Sequence, residues 1–197
     1  PRLNIIRLGN DHTSGTRAGS PTPRAMVAEN DVALGRIVEA VTGSPFWKES
    51  AIFVLEDDAQ AGPDHVDMHR SIALVASPFI KRGSVDSTLY NTAAMLRTIE
   101  LILGLPPMSQ YDAAATPMYN AFVGIPNLAG YRRLDTQVPA GERNLASAFG
   151  AAQSLAMDFS IEDRAPEALL NEIIWRSVRG AKSPAPPPRR SLFVTPA

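Results

Sequence analysis

Three short apolar runs constrain this chain more than any other feature. They are Leu3–Leu8 (Leu-Asn-Ile-Ile-Arg-Leu), Ala51–Leu55 and Ile72–Ala76. Each is too short for a membrane span, which needs about 20 residues, and each stops at polar or turn-forming residues. Runs of this length read as strands, and a wholly apolar one such as Ala51–Leu55 suits a parallel sheet covered on both faces. Between and after them lie segments with helical spacing. Arg24 to Val41 places Val27, Leu34, Val38 and Val41 on one face, behind Pro23 as a helix opener. Thr92 to Leu103 places Leu96, Ile99 and Leu103 together, closed by Gly104 and Pro106-Pro107. Glu162 to Arg179 repeats Leu170, Ile174 and Val178, with Pro166 in the first turn. Residues 108–160 are weakly patterned.

This order predicts an α/β fold, with a mostly parallel central sheet and helices on both faces. It predicts one domain over residues 1–180, followed by a Pro-rich basic tail over 181–197 that carries Arg189-Arg190. The chain has 197 residues, enough for one core. A formal net charge of −1 gives no ground for nucleic-acid binding. No apolar run is long enough for a transmembrane segment, and nothing in the sequence sets an oligomeric state. With zero cysteines, disulfides, thiolate metal sites and a Cys nucleophile are excluded. Their absence fits a periplasmic or secreted bacterial protein, although no signal peptide is present. Because the first apolar run begins two residues from Pro1, the sequence reads as a processed or N-terminally incomplete chain.

Ligands of α/β folds bind beyond the carboxyl ends of strands, and the charged clusters lie there. Asp11-His12 follows the first run, and Asp57-Asp58 follows the second. The chain has three histidines, His12, His65 and His69, each close to an aspartate: Asp11, Asp64 and Asp67. Imidazole and carboxylate together form the ligand set for Zn, Mn or Fe. Adjacent carboxylates such as Asp57 and Asp58 repel one another unless solvated, protonated or bridged by a cation. Other polar features have plainer readings. Asn30-Asp31 inside the first helix is a solvated turn or an outer support of the site, the former being preferred. Trp47 and Trp175 are packing or docking residues.

These residues also resemble a known family. Leu8-Gly9-Asn10-Asp11-His12-Thr13-Ser14-Gly15 looks like the DHT-x-G signature of bacterial phosphoesterases in the alkaline phosphatase superfamily. Asp57-Asp58-Ala59-Gln60-Ala61-Gly62-Pro63-Asp64-His65-Val66 is similar to the D-[DE]-x3-G-x-DHV segment of the phospholipase C and acid phosphatase branch. Ile72–Pro78 resembles the strand ending in Ser-Pro that follows in those enzymes. Asn30–Val38 and Leu170–Trp175 are similar to two of their helices. The resemblance runs over roughly residues 3 to 180.

The resemblance implies a metal-dependent hydrolase of phosphoric esters, acting on phosphomonoesters or phosphodiesters, with Zn, Mn, Ca or Fe as the divalent ion. It implies His12, Asp57 and Asp58 as metal ligands. A histidine before the next strand completes the site, and both His65 and His69 are in position. His69 is assigned to the metal, and His65 with Asp11 to catalysis. Asp11 adjoins His12 where the wider superfamily often spaces the pair by three residues, and Asp57-Asp58 stands where it has Asp-His. The family's nucleophile belongs to a segment upstream of this chain. The alternative is a metal-binding module, or a fragment, that lacks its nucleophile.

Overall fold

A computed structural model describes residues 2–10, 12–56, 71–161 and 164–185. Its described elements are β1 (Ile52–Leu55), β2 (Ala73–Ala76), α1 (Pro23–Thr42), α2 (Thr92–Leu103), α3 (Gln110–Ala114), α4 (Ala151–Ala156) and α5 (Glu167–Arg179), with 3-10 turns at Trp47–Glu49 and Tyr119–Ala121. The described residues fall into two compact units. One draws on the described residues within 2–6, 38–54 and 73–131, the other on those within 7–37, 55–72 and 132–185.

Among the described residues the expected mostly parallel central sheet is not formed. β1 and β2 make a two-stranded antiparallel ribbon, and about 37% of the described residues are helical against 7% in strands. Two of the three apolar runs do become strands, but as an open ribbon and not as the buried centre of a sheet. Ile72 is 61% exposed and Leu74 52%. Leu3–Leu8 forms no strand, and Ile5 is 89% exposed. An apolar run becomes a strand only where a neighbouring backbone takes its N–H and C=O groups. No ladder among the described residues reaches Leu3–Leu8. Side-chain hydrogen bonds from Asn30 hold its end instead.

The helices follow the sequence more closely. Thr22 caps α1, its hydroxyl accepting from the Ala25 N–H at 3.2 Å, and Pro23 occupies the first turn, where its missing N–H costs nothing. Asn91 caps α2 by accepting from the Ala94 N–H at 2.9 Å. Gly104 ends α2 in the left-handed region, φ +69°, and the Leu105 N–H returns to the Glu100 carbonyl at 2.8 Å. That paired closure is the glycine-terminated stop written in the sequence. α5 begins five residues later than the spacing suggested, at Glu167, directly after Pro166.

The buried faces are displaced from those expected. In α2 the buried residues are Ala94, Met95, Thr98 and Glu100, while Leu96, Ile99 and Leu103 are half-buried. In α1 Val27 is exposed and Ala25 is buried, and in α5 Val178 is exposed and Ile173 is fully buried. Periodicity locates a stripe, but it does not say which polar residues will be drawn in with a partner.

The unit containing α2 is closed by such partners. Thr98 donates to the Ala94 carbonyl at 2.7 Å and accepts from the Met118 N–H at 2.9 Å. Glu100, almost fully buried, pairs with Arg97 at 3.1 Å. Asp112 caps α3 together with Ser109, and that hydroxyl holds its carboxyl at about 2, well below the usual range. The Tyr131 N–H donates to the Thr42 hydroxyl at 3.0 Å. Trp47 is buried edge-on to Tyr131, with ring centroids 6.1 Å apart, so it is a packing residue as expected. Arg82 lies 4.3 Å over the Tyr131 ring and donates to the carbonyls of Asn127 and Ala129.

In the other unit the core centres on Ile173, Thr16 and Ser154. Gly150 precedes α4 with φ +76°, and a Cβ there would stand 2.4 Å from Ile173 Cγ1. The backbone at the start of α4 therefore rests directly on the Ile173 side chain of α5, an approach that only glycine permits. Arg176 lies 4.7 Å over the Phe149 ring and bonds Glu172, one turn earlier on α5.

Gly150→Ala is expected to destabilise this unit by about 1–3 kcal/mol from the forced left-handed backbone alone, and further through overlap with Ile173. Ser154→Ala, which leaves the buried Thr16 N–H without its acceptor, should cost about 1–3 kcal/mol. Urea unfolding followed by circular dichroism measures both. A Gly150→Ala midpoint equal to wild type would show that α4 can move off Ile173.

Candidate functional site

Of the six residues assigned to the site, His12 lies among the described residues. Asp11, Asp57, Asp58, His65 and His69 lie outside them, so the structure neither brings these five together with His12 nor separates them. His12 is exposed, which leaves the imidazole accessible to a ligand. Among the described residues, no group of three or more His, Asp or Glu side chains gathers closely enough to hold a metal ion.

What the structure does show is how the chain around His12 is held. It leaves the apolar run Leu3–Leu8 and passes α1 at Asn30. The Asn30 amide grips it twice: the Asn10 N–H donates to Asn30 Oδ1 at 3.1 Å, and Asn30 Nδ2 donates to the Leu8 carbonyl at 3.3 Å. Beyond His12, the Thr13 hydroxyl donates to the Gly15 carbonyl at 3.3 Å. Gly15 adopts φ +64°, and a Cβ there would meet Ser154 Oγ at 2.6 Å. Only glycine lets the loop come so close to α4.

The next residues are pinned by hydroxyls. The Thr16 N–H donates to Ser154 Oγ at 3.0 Å, and the Thr16 hydroxyl donates to the Phe149 carbonyl at 2.6 Å. Thr16 and Ser154 are both essentially inaccessible to solvent. Asn144, also buried, donates from Nδ2 to the carbonyls of Gly15 at 3.3 Å and Pro21 at 3.0 Å. Its own N–H and C=O bond Ser20 and Gly19. Glu142 then closes the loop, accepting from the Thr22 hydroxyl and from the Arg24 guanidinium at two oxygens. These bonds hold the Glu142 carboxyl at about 2, mainly through Arg24 and next through Thr22.

The loop from Gly9 to Thr22 is therefore a built structure, and most of its supports were not legible in the sequence. Asn30 was the exception in part: the sequence marked it, and while Asp31 is exposed as a solvated turn would be, the Asn30 amide also bonds the chain 20 residues earlier. Thr16, Asn144, Ser154 and Glu142 carried no signal of their own. The sole hint was that Asn and Ser disfavour regular structure and bond to nearby backbone. Trp175 is half-buried on α5, with the Arg179 guanidinium 5.6 Å from its ring, in keeping with a packing role.

A carboxyl with a lowered pKa stabilises the fold above its unfolded value, here about 4.5, and loses that contribution as pH falls through about 2. Glu142→Gln is therefore expected to flatten the acid limb of stability between pH 4.5 and 2, read as the urea midpoint against pH. The Arg24 side chain is 58% exposed, so added salt should shrink the difference between the two proteins. An unchanged acid limb would mean that Arg24 and Glu142 do not pair in solution.

None of the described helices is long and apolar enough to cross a membrane. Comparison with protein-family models, with curated proteins and with solved structures finds no match for this chain.

Proposed function

We propose that this chain is the metal-binding portion of a hydrolase that acts on phosphoric esters, phosphomonoesters or phosphodiesters. The observation that carries the proposal is the exposed His12, set in a loop anchored on both sides, within a sequence whose ordered motifs resemble one phosphoesterase family. A ligand loop needs its donors held before the cation arrives, because ordering them afterwards costs binding free energy. Asn30 on one side and Asn144, Thr16 and Ser154 on the other supply that order.

In this reading His12, Asp57, Asp58 and His69 hold a divalent ion, either Zn, Mn, Ca or Fe. His65 and Asp11 move or hold protons at the leaving group. The ion, when bound, polarises the phosphoryl oxygen and lowers the pKa of an attacking hydroxyl. The nucleophile is assigned, from the resemblance, to a segment upstream of residue 1.

A second reading is a metal-binding module without turnover. It is favoured by the engagement of two hydroxyls in the His12 loop, Thr13 to the Gly15 carbonyl and Thr16 to the Phe149 carbonyl. Neither is poised for attack, and Thr16 is fully buried.

Assay of the 197-residue chain with Mn, Zn and Ca separates the readings. It should bind a divalent ion and hydrolyse p-nitrophenyl phosphate and bis-p-nitrophenyl phosphate far below the usual enzymatic range of about 1–1,000 per second. Joined to its upstream half, it should become active. Asp57→Ala should abolish metal binding in both forms, measured by titration calorimetry. Failure of the chain to bind any of the three ions would overturn both readings. Full turnover by the 197 residues alone would overturn the assignment of the nucleophile.

A further inference from the structure

We propose that Asn30 is a positioning residue for cation binding at His12, a role that rests on the metal-binding reading above. Asparagine is a poor choice for the middle of a helix, because its amide competes with the backbone. In α1 it sits well inside the span Pro23–Thr42. Its amide makes no local bond among those described. It reaches to a segment 20 residues earlier and meets the main chain on both sides of Gly9, as acceptor to Asn10 and donor to Leu8. That pairing imitates what a neighbouring strand would offer, and it does so where Leu3–Leu8 has no ladder.

Its place along the chain gives the tether its effect. Asn10 is the last residue gripped by Asn30, and Gly15 and Thr16 are the next residues held from outside the loop, by Asn144 and Ser154. Only four residues separate the two anchors, and His12 is the second of them. With both ends fixed, the backbone at His12 samples few directions. Without Asn30, no hydrogen bond among the described residues ties the upstream end at Leu8 or Asn10. Gly9, the most permissive residue type, then becomes a free swivel. Asn30 touches no cation in this scheme and acts through the main chain of residues 8–10.

The test uses the full chain, with Mn(II) and Co(II) as probes and three proteins: wild type, Asn30→Ala and Asn30→Gln. Amide exchange at Asn10 reports the tether directly, and the cobalt absorption spectrum reports ligand geometry. Asn30→Ala should lose protection at Asn10 and bind Mn(II) about 10- to 100-fold more weakly, the usual cost of removing an outer support of a metal ligand. The cobalt spectrum should change while the melting temperature stays close to wild type. Asn30→Gln, which restores donor and acceptor, should recover affinity to the extent that it restores protection at Asn10. Should Asn30→Ala fail to fold, Asn30→Gln decides alone: affinity that follows Asn10 protection supports the proposal, and full affinity with an unprotected Asn10 overturns it. Wild-type affinity in a folded Asn30→Ala protein overturns the proposal and leaves the metal reading standing. Absence of cation binding in wild type, with Asn10 protected, overturns the metal reading and this role together.

Discussion

Two buried hydroxyls hold the loop that follows His12. Ser154 accepts the Thr16 N–H, and Thr16 in turn donates to the Phe149 carbonyl. The partners are more than 130 residues apart in sequence, so the bonds fix a long-range closure that no local propensity would enforce. Their geometry also explains the glycines. Gly15 passes so close to Ser154, and Gly150 so close to Ile173, that neither position has room for a Cβ. The glycine backbone of the His12 loop is thus set on the Ser154 side chain of α4, and that at the start of α4 on the Ile173 side chain of α5. Each bond is worth only about 1 kcal/mol net, but a missing partner would leave a buried polar group unsatisfied, which costs more.

The elements that the sequence announced were those with chemical punctuation. Pro23 and Gly104 mark the start of α1 and the end of α2, and both boundaries stand as read. β1 and β2 lie within a residue of the apolar runs that suggested them. The architecture failed where the inference moved from elements to their assembly. A run of apolar residues is compatible with a buried central strand, an edge strand or an unpaired segment, because the run does not name its hydrogen-bonding neighbour. Leu3–Leu8 is the plain case: apolar enough for a core strand, it has no ladder among the described residues and remains exposed.

The site divides in the same way. His12 stood out as a candidate because the sequence sets it beside an aspartate after an apolar run, whereas the residues that hold its loop are ordinary types. Thr16, Asn144 and Ser154 look like any polar loop or helix residue until the fold sets their hydrogen-bonding groups against a carbonyl or an N–H. Glu142 reads as a surface charge, yet it joins the Thr22 cap of α1 to the Arg24 guanidinium. A residue that acts through a partner distant in sequence leaves no mark in spacing.

The interior has a thermal consequence. Among the described residues, eight polar side chains are buried, Thr16, Thr42, Ser77, Thr98, Glu100, Asp112, Asn144 and Ser154, beside an apolar set that includes Trp47, Ile80, Met95, Met118 and Ile173. On unfolding, newly wetted apolar surface raises the heat capacity and newly wetted polar surface lowers it. An interior with so many polar side chains gains less heat capacity on unfolding than one of leucine and isoleucine. Its stability is therefore expected to bend more gently with temperature than that of an all-aliphatic core of the same size.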